Sequence, residues 1–519
     1  MASRMHRLRR AAAVGGGTVC GLQALLLYRQ PSWRPAASPP PLPPAGAGPG
    51  GAEGRHPESA RRLSQGKAAV VVGAGVAGSR SESQGICSAH RLAKRGYEVI
   101  ILDPLDGAAA TGSSSAAAAG GMDKLHKFST SSDWAKMLRQ LVPFGDGFRF
   151  FYVSWPDVVG DLFFWRWLAR YASESLFASS TYIEEKKAQF LPVVEWGIAE
   201  TVRTMEEVPG LLAASHCREA GSVMVLGASS GGYASLASGE AMSADEVKNF
   251  EPLVGGGPEA RFVVNPECRI GECVSFTRHL AAHCEQTLQI RILRRTAVEG
   301  FDVRGDRVAG IHTSRGYVDV GDASVVLCGG AWSGILCDML GFFCPIYPLK
   351  GYTLLVDLEG GPGLQRLAFD AAVYAVPAGP RLRVASIGGL GGWDVSVDPS
   401  IEAAVRAEAE KLVPALKDKI ERSSAVAGLR PFSADELPLV GRLPGFSNVL
   451  LNTGPGHTGW KCAAGFAEIL ASIADGDACA SVPGMALLDP APRLGTALTG
   501  PRLLREARTA LRTWGAPFA

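Results

Sequence analysis

Residues 68–72, AAVVV, run straight into Gly73-Ala-Gly75-Val-Ala-Gly78, and this junction limits the fold more than any other feature of the chain. A short continuous apolar run suits a parallel strand buried on both faces. In the turn after it, Gly73 permits a tight bend, Gly75 lets backbone approach a pyrophosphate, and Gly78 allows a helix to pack closely on the strand. A helix N-terminus there faces phosphates with unpaired N–H groups and the positive end of its dipole. Residues 86–95 have the spacing of an amphipathic helix closed by Gly96, and residues 97–102 that of a second buried strand. Asp103 ends that strand, where an acid binds ribose hydroxyls. The pattern predicts an α/β domain with a dinucleotide crevice. A glycine turn without a ligand is the plainer alternative.

The interval is abnormal. The acid usually follows about twenty residues after the glycines, whereas Asp103 lies thirty after Gly73. Removing residues 79–85 (SRSESQG) restores GAGVAG-ICSAHRLAKRG without a seam. Two outcomes are open. Seven residues are close to two helical turns, so a longer helix keeps its buried face in phase but moves its far end by roughly 10 Å. A polar loop beside the phosphate site disturbs the rest of the fold less, and the loop is the expectation. Either outcome bears on cofactor affinity.

Ahead of this domain the composition changes. The net charge of +2 conceals two opposite parts: residues 1–67 hold ten Lys/Arg against Glu53 and Glu58, a net of +8, which leaves the other 452 residues at −6. Arg4, Arg7, Arg9 and Arg10 precede a small, apolar stretch at 11–28, and residues 31–51 are nearly all Pro, Ala, Gly and Ser. An Arg-rich, acid-poor start reads as an organelle presequence, the mitochondrion first and the plastid second. A membrane anchor through residues 11–28 stays open, although Gly15, Gly16, Gly17, Thr18 and Gln23 weaken it as a span. An acidic body without basic clusters argues against nucleic acid as a partner.

Eleven cysteines, an odd number with no CxxC pair, suit reduced buried thiols and not a disulfide framework. His279 and His283 share a helical face, but with no acidic third ligand nearby they read as structural, and no metal site is expected. Periodicity predicts a helix over 403–416 and antiparallel strands over 291–320, broken at Gly305 and Gly316. Phe163, Phe164, Trp165 and Trp167 read as core, with an acceptor- or membrane-contacting surface as the alternative.

Later segments recur in an order that is informative together. They are TGSSSAAAAGGM (111–122), GECVSFT (271–277), VVLCGGAWS (325–333), PIYPLKGYTLL (345–355), GLRPFSADELPLVGR (428–442) and NVLLNTGPGHTGW (448–460). The set resembles the FAD-dependent D-amino acid oxidase superfamily over about residues 68–476, and within it the small subunit of bacterial D-amino acid dehydrogenases. The resemblance implies a Rossmann-like FAD-binding domain interleaved with an antiparallel-sheet substrate domain. The FAD domain would take 68–125, 262–345 and 425–480, the cap 126–261 and 346–424, with a tail at 481–519.

Carried over by motif, Gly73, Gly75 and Gly78 would hold the FAD pyrophosphate and Asp103 the adenosine ribose. Ser114 and Ser115 would lie near the phosphates, and Val298 near the adenine. Gly329, Gly330 and Ala331 would form the turn against the cofactor, and Gly454, Gly456 and Gly459 the loop beside the flavin. Three departures weaken the substrate assignment. Ala118 stands where the dehydrogenase has Asn, Pro455 and His457 where its loop has His then Thr, and Lys461 where it has Thr. Sarcosine-oxidase-like relatives place a substrate-binding Lys at that last position.

The implied reaction is hydride transfer from a substrate α-carbon to flavin, leaving an imine for water to hydrolyse. The protein supplies orientation and electrostatics. An amino acid carboxylate calls for a bidentate Arg, or a Lys with a Tyr hydroxyl. The candidates are Tyr352, Tyr374, Arg383, Arg430, His457 and Lys461, and all but Arg383 have a structural alternative: a loop-fixing Arg430, cap-sheet tyrosines with solvent-facing hydroxyls, a surface His457, and a Lys461 opening a helix toward solvent. The expected activity is oxidation of a small D-amino acid, with a quinone, an electron carrier or O2 as acceptor. A glycine- or sarcosine-type oxidase and a flavoprotein-like scaffold without turnover are the competing readings.

Overall fold

The computed structural model describes residues 66–73, 83–104, 118–124, 126, 128–131, 133–134, 152–227, 239–256, 259–386, 388–477 and 482–496. The apolar run that opens the domain becomes the strand Ala68–Val72, all five residues buried, at the centre of a six-stranded sheet. It lies parallel to both neighbours, pairing Val72 with Leu327 of Ser324–Leu327 and with Leu102 of Glu98–Leu102. Arg291–Leu293 and Val449–Thr453 extend the parallel set on either side, and Leu439–Arg442 closes one edge antiparallel.

Two-residue alternation explains why this strand is apolar throughout. Ala69 and Val71 pack with Ile86, Leu92, Phe276, Phe466 and Leu470, from the helices Gln84–Lys94, Cys273–Gln286 and Ala463–Asp475. Ala68, Val70 and Val72 face the opposite layer with Val308, Ile311 and Leu336. Each large apolar side chain so buried stabilises the fold by roughly 1.5–3 kcal/mol, and a charge at Val71 would break both pairing and packing. The opposite layer includes a three-stranded antiparallel sheet, Val298–Arg304, Arg307–Thr313 and Gly316–Asp319. The antiparallel expectation for 291–320 therefore holds only from Val298, because Arg291–Leu293 pairs parallel with Glu98–Leu102.

The second large sheet has eight strands, in the order Ser424–Ser433, Ile346–Asp357, Arg381–Ser386, Val373–Ala378, Leu367–Phe369, Ser222–Leu226, Arg261–Asn265 and Glu240–Met242. Its pairings are antiparallel except that between Leu367–Phe369 and Ser222–Leu226. Arg261–Asn265 and Ser424–Ser433 belong to this sheet, although both lie in or abut stretches expected in the FAD domain. The chain leaves the cap sheet only after those strands complete their ladders. One face packs on the helix Pro399–Leu412, through Tyr352, Leu354, Val356, Val384, Val405 and Leu412.

The aromatic stretch forms the helix Leu162–Ser175, capped by Asp161, whose carboxylate accepts from the N–H groups of Phe163 at 2.9 Å and Phe164 at 3.2 Å. Phe164 and Trp167 enter the core, while Trp165 is exposed and stacks on exposed Trp155. The described part of the expected tail is integral: Gly495–Thr496 pairs with Phe342–Phe343, and Arg493 holds Asp435 through two charged hydrogen bonds. Among the described residues no helix is long and apolar enough to cross a membrane, and the stretch 11–28 lies outside them.

Candidate active site

Parallel pairing places the carboxyl ends of four strands side by side, and this edge carries the residues expected to hold a dinucleotide. Gly73 turns away from the first strand at φ 97°, its N–H bonded to Leu102 O at 2.8 Å. That conformation favours glycine. Asp103, buried, ends the neighbouring strand; its N–H reaches Leu293 O at 3.0 Å and its carbonyl accepts from Thr296 N at 2.8 Å. These bonds bring half-buried Val298 close to Asp103 in the backbone. Past Ser324–Leu327, Gly329, Gly330 and Ala331 form a buried turn, held to Val449–Thr453 by the 2.6 Å contact between Ser333 Oγ and Thr453 Oγ1. Gly454 then turns at φ 68° where an added Cβ would come within 2.9 Å of Ile346, and Gly456 follows, with Gly459 buried beyond. Gly75, Gly78, Ser114 and Ser115 lie outside the described residues. Of the extra segment, Gln84 and Gly85 form the first turn of the helix Gln84–Lys94 and residues 79–82 are not described. Left-handed glycine turns and a buried acid at one carboxyl edge fit the diphosphate and ribose of FAD.

The loop with Gly454, Gly456 and Gly459 is tied to the cap sheet. Gly456 donates to Pro431 O at 3.2 Å, and Phe432 bridges Pro455. Arg430 lies one residue before that tie. Its cross-strand partner is Leu349, and alternation sets Arg430, Leu349 and Phe432 on the face away from the helix Pro399–Leu412. Arg383 and Tyr374 share this face through the pairs Val376↔Arg383 and Tyr374↔Ala385, continued by Thr353↔Ala385. Tyr352 does not. It points into the core on the other face, fully buried, with its hydroxyl 3.1 Å from that of Tyr152. Neither the catalytic placement of Tyr352 nor a solvent-facing hydroxyl survives, because a shift of one position along a strand reverses the face.

The cations of this region differ in partners. Arg383 is buried; its Nε donates to Ala118 O at 2.9 Å and its Nη1 lies 3.3 Å from Glu272. Lys461 is also buried, 2.7 Å from Asp123 O and 3.0 Å from Asp123 Oδ1, so it is not the solvent-facing start of a helix; that helix begins at Ala463. Arg430 donates through Nη2 to Ser386 O at 2.8 Å, while its shielded Nη1 has no hydrogen-bond partner among the described residues. Burial pulls its pKa down to about 10, which leaves it a cation at neutral pH. The residue as a whole is only half-buried; it is the guanidinium that is enclosed. His457 is exposed, its ring 5.8 Å from that of Phe432, and half-buried Tyr374 stacks on Phe369 at 4.7 Å.

Several neighbours escaped the sequence reading. Asp123 and Glu272 are the acids that engage Lys461 and Arg383. Glu272 also caps the helix Cys273–Gln286 by accepting from Ser275 N, and because Glu is outside the usual set of N-cap residues no local signal marked it. His126, wedged between Phe128 and Phe190, is held well below its ordinary pKa by burial and next by Lys461. No local pattern marks it. His279 bonds Pro209 O through Nε2 and His283 lies beside His90.

The family model described as FAD dependent oxidoreductase, DAO, matches residues 68–473. A D-amino acid dehydrogenase of Paramagnetospirillum magneticum is 30% identical over 430 residues, covering 78% of this chain and 94% of that protein. D-amino acid dehydrogenase 2 of Mesorhizobium japonicum is 35% identical over 242 residues, 46% of this chain and 57% of the relative. In the first three curated relatives the match spans 57%, 47% and 47% of their length, about half. The crystal structure of glycine oxidase from Geobacillus kaustophilus superposes with a TM-score of 0.58 at 19% identity, covering 81% of this chain and 97% of that one; this likeness concerns the fold.

Proposed function

This chain belongs to the FAD dependent oxidoreductase family DAO, and from that premise we propose that it oxidises the C–N bond of a small amino acid, a D-amino acid first, to the 2-oxo acid and ammonia. Bound FAD supplies the hydride acceptor. The observation that carries the substrate class is Arg430, an enclosed guanidinium beside the glycine loop with one nitrogen unpartnered among the described residues. A planar fork of N–H donors matches a carboxylate in two parallel hydrogen bonds. Held so, the substrate has its α-carbon oriented by the enzyme, and the shielding of Nη1 from solvent strengthens the charge pairing. Lys461, the residue that pointed toward sarcosine-type oxidases, is engaged by Asp123, so the D-amino acid reading stands ahead of the N-methyl one. The electron acceptor, whether quinone, electron carrier or O2, follows from the reoxidation half of the cycle.

The test is anaerobic bleaching of the FAD-loaded chain by a panel of D-amino acids, glycine, sarcosine and proline. Bleaching by D-amino acids supports the reading, and bleaching by N-methylated glycines alone overturns it. For the leader, the proposal is import into an organelle, the mitochondrion first, supported by the +8 charge of residues 1–67. A fluorescent protein carrying residues 1–67 that stays in the cytosol would refute that.

A further inference from the structure

The glycine motif has two candidates for its third glycine. Removing residues 79–85 or residues 78–84 leaves the same sequence, GAGVAG followed by Ile86, so the sequence is silent on which side of the insert the motif resumes. The helix geometry is not silent. The helix begins at Gln84, and Gly85 is its second residue, buried and directly before Ile86. Gly85, Ser88, Ala89 and Leu92 are spaced by three, four and seven, which sets them on one helix face. That face meets the parallel sheet: Ser88 Oγ accepts from Asn452 Nδ2 at 2.9 Å and lies 3.8 Å from Cys328 Sγ, while Ala89 and Leu92 are fully buried. Gly85 therefore lies on the helix face that meets the sheet, the face the third glycine of such a motif occupies. Gly85 precedes Asp103 by 18 residues and Gly78 by 25, so the insert lies outside the Gly85–Asp103 interval.

A second, independent observation points to a ligand at the same end. Gln84 is only 1% exposed, and its side-chain Nε2 has no hydrogen-bond partner among the described residues. The first helical bond runs from Cys87 N to Ser83 O at 3.1 Å, so the N–H groups of Gln84, Gly85 and Ile86 precede the intrahelical ladder. Helical side chains lean toward the N-terminus of their helix, which carries the Gln84 amide over that same end. Backbone donors, the positive end of a helix dipole and a buried amide donor together suit an anion.

We propose that Gly85, in place of Gly78, completes the phosphate-binding motif, and that Gln84 adds a side-chain amide donor to the helix end that receives the FAD diphosphate. Residues 78–83 are then an insert ahead of the site, and the register of the helix behind them is intact. This rests on FAD being the cofactor. Titration of the full chain with FAD, followed by quenching of flavin fluorescence, separates the alternatives. Gly78→Val should leave the dissociation constant within threefold, whereas Gly85→Val should raise it at least tenfold. Gln84→Glu, which sets a negative charge against the diphosphate, should also raise it at least tenfold, and Gln84→Leu at least threefold, with the melting temperature of the FAD-free protein unchanged. If Gly85→Val fails to fold, Gly78→Val and the two Gln84 variants still decide. A tenfold loss on Gly78→Val, or wild-type affinity in Gln84→Glu, overturns the assignment. Wild-type protein that takes up no FAD would instead overturn the cofactor reading, and this inference with it.

Discussion

Two cations flank the glycine loop that begins at Gly454, Lys461 buried and Arg430 half-buried with a shielded Nη1, and they are treated differently by the fold. Lys461, on the far side of the loop, has an acid from a distant segment, Asp123, at 3.0 Å. Arg430, on the cap strand, has the carbonyl of Ser386 and no carboxylate among the described residues. A buried charge is costly unless it is paired and hydrogen-bonded. Lys461 receives that compensation inside the fold and acts as a structural tie between the 118–124 segment and the flavin-side loop. Arg430 keeps its charge without it, which makes it the cation of this pair suited to an incoming carboxylate.

The comparison breaks most visibly at Arg430. Arg430→Ala should lower kcat/KM for an amino acid by about 10²–10³, the scale of two charge-assisted hydrogen bonds, with the loss mainly in KM and the FAD content unchanged. Steady-state kinetics with flavin quantitation read both. The same contact sets a pH limit. Because the Arg430 pKa is lowered to about 10, KM should rise as pH climbs past that value. Lys461→Met should do the reverse. It strands Asp123 and should cost roughly 3 kcal/mol of stability by urea unfolding, with the double variant Lys461→Met/Asp123→Leu recovering most of it. A large KM increase at unchanged stability would make Lys461 the substrate cation and invert the comparison.

A smaller effect sharpens the contrast, because His90 resolves the same problem by shedding its charge. Burial, reinforced by Arg91 and Lys94, holds its pKa at about 3 where an unfolded chain has 6.5. Below pH 6.5 the unfolded state binds a proton that the folded state refuses. The stability present above that pH is therefore lost as pH falls toward 3, by about 1 kcal/mol per unit. His90→Gln should flatten the stability profile between pH 6.5 and 4 relative to wild type, as measured by urea midpoints. Smallest of all, Tyr352→Phe should cost on the order of 1 kcal/mol of stability and leave KM unchanged, because its hydroxyl meets Tyr152 on the face away from Arg430. A shift in KM in that variant would place Tyr352 in the site.

Much of the nucleotide side was legible in the sequence, because its determinants are local. An apolar run, a glycine turn and an acid at a strand end specify a central parallel strand and its crevice within about thirty-five residues. The cap side was less legible. Whether Tyr352 or Arg430 faces the crevice depends on strand register between Ile346–Asp357 and Ser424–Ser433, and one residue of slip reverses it. The role of Lys461 depends on Asp123, some 340 residues away in sequence, which no periodicity reports. The ambiguity between Gly78 and Gly85 is of another kind, since two deletions leave one sequence and only the helix start separates them.

The most direct test of the account sets the FAD-loaded wild type beside Arg430→Ala, under anaerobic conditions, with a D-amino acid and with the amine that lacks its carboxylate. The wild-type flavin should be bleached rapidly by the amino acid and little by the amine, and the variant should lose that preference. Flavin that stays oxidised in the wild type with every D-amino acid, or a variant that keeps the full preference, would contradict it.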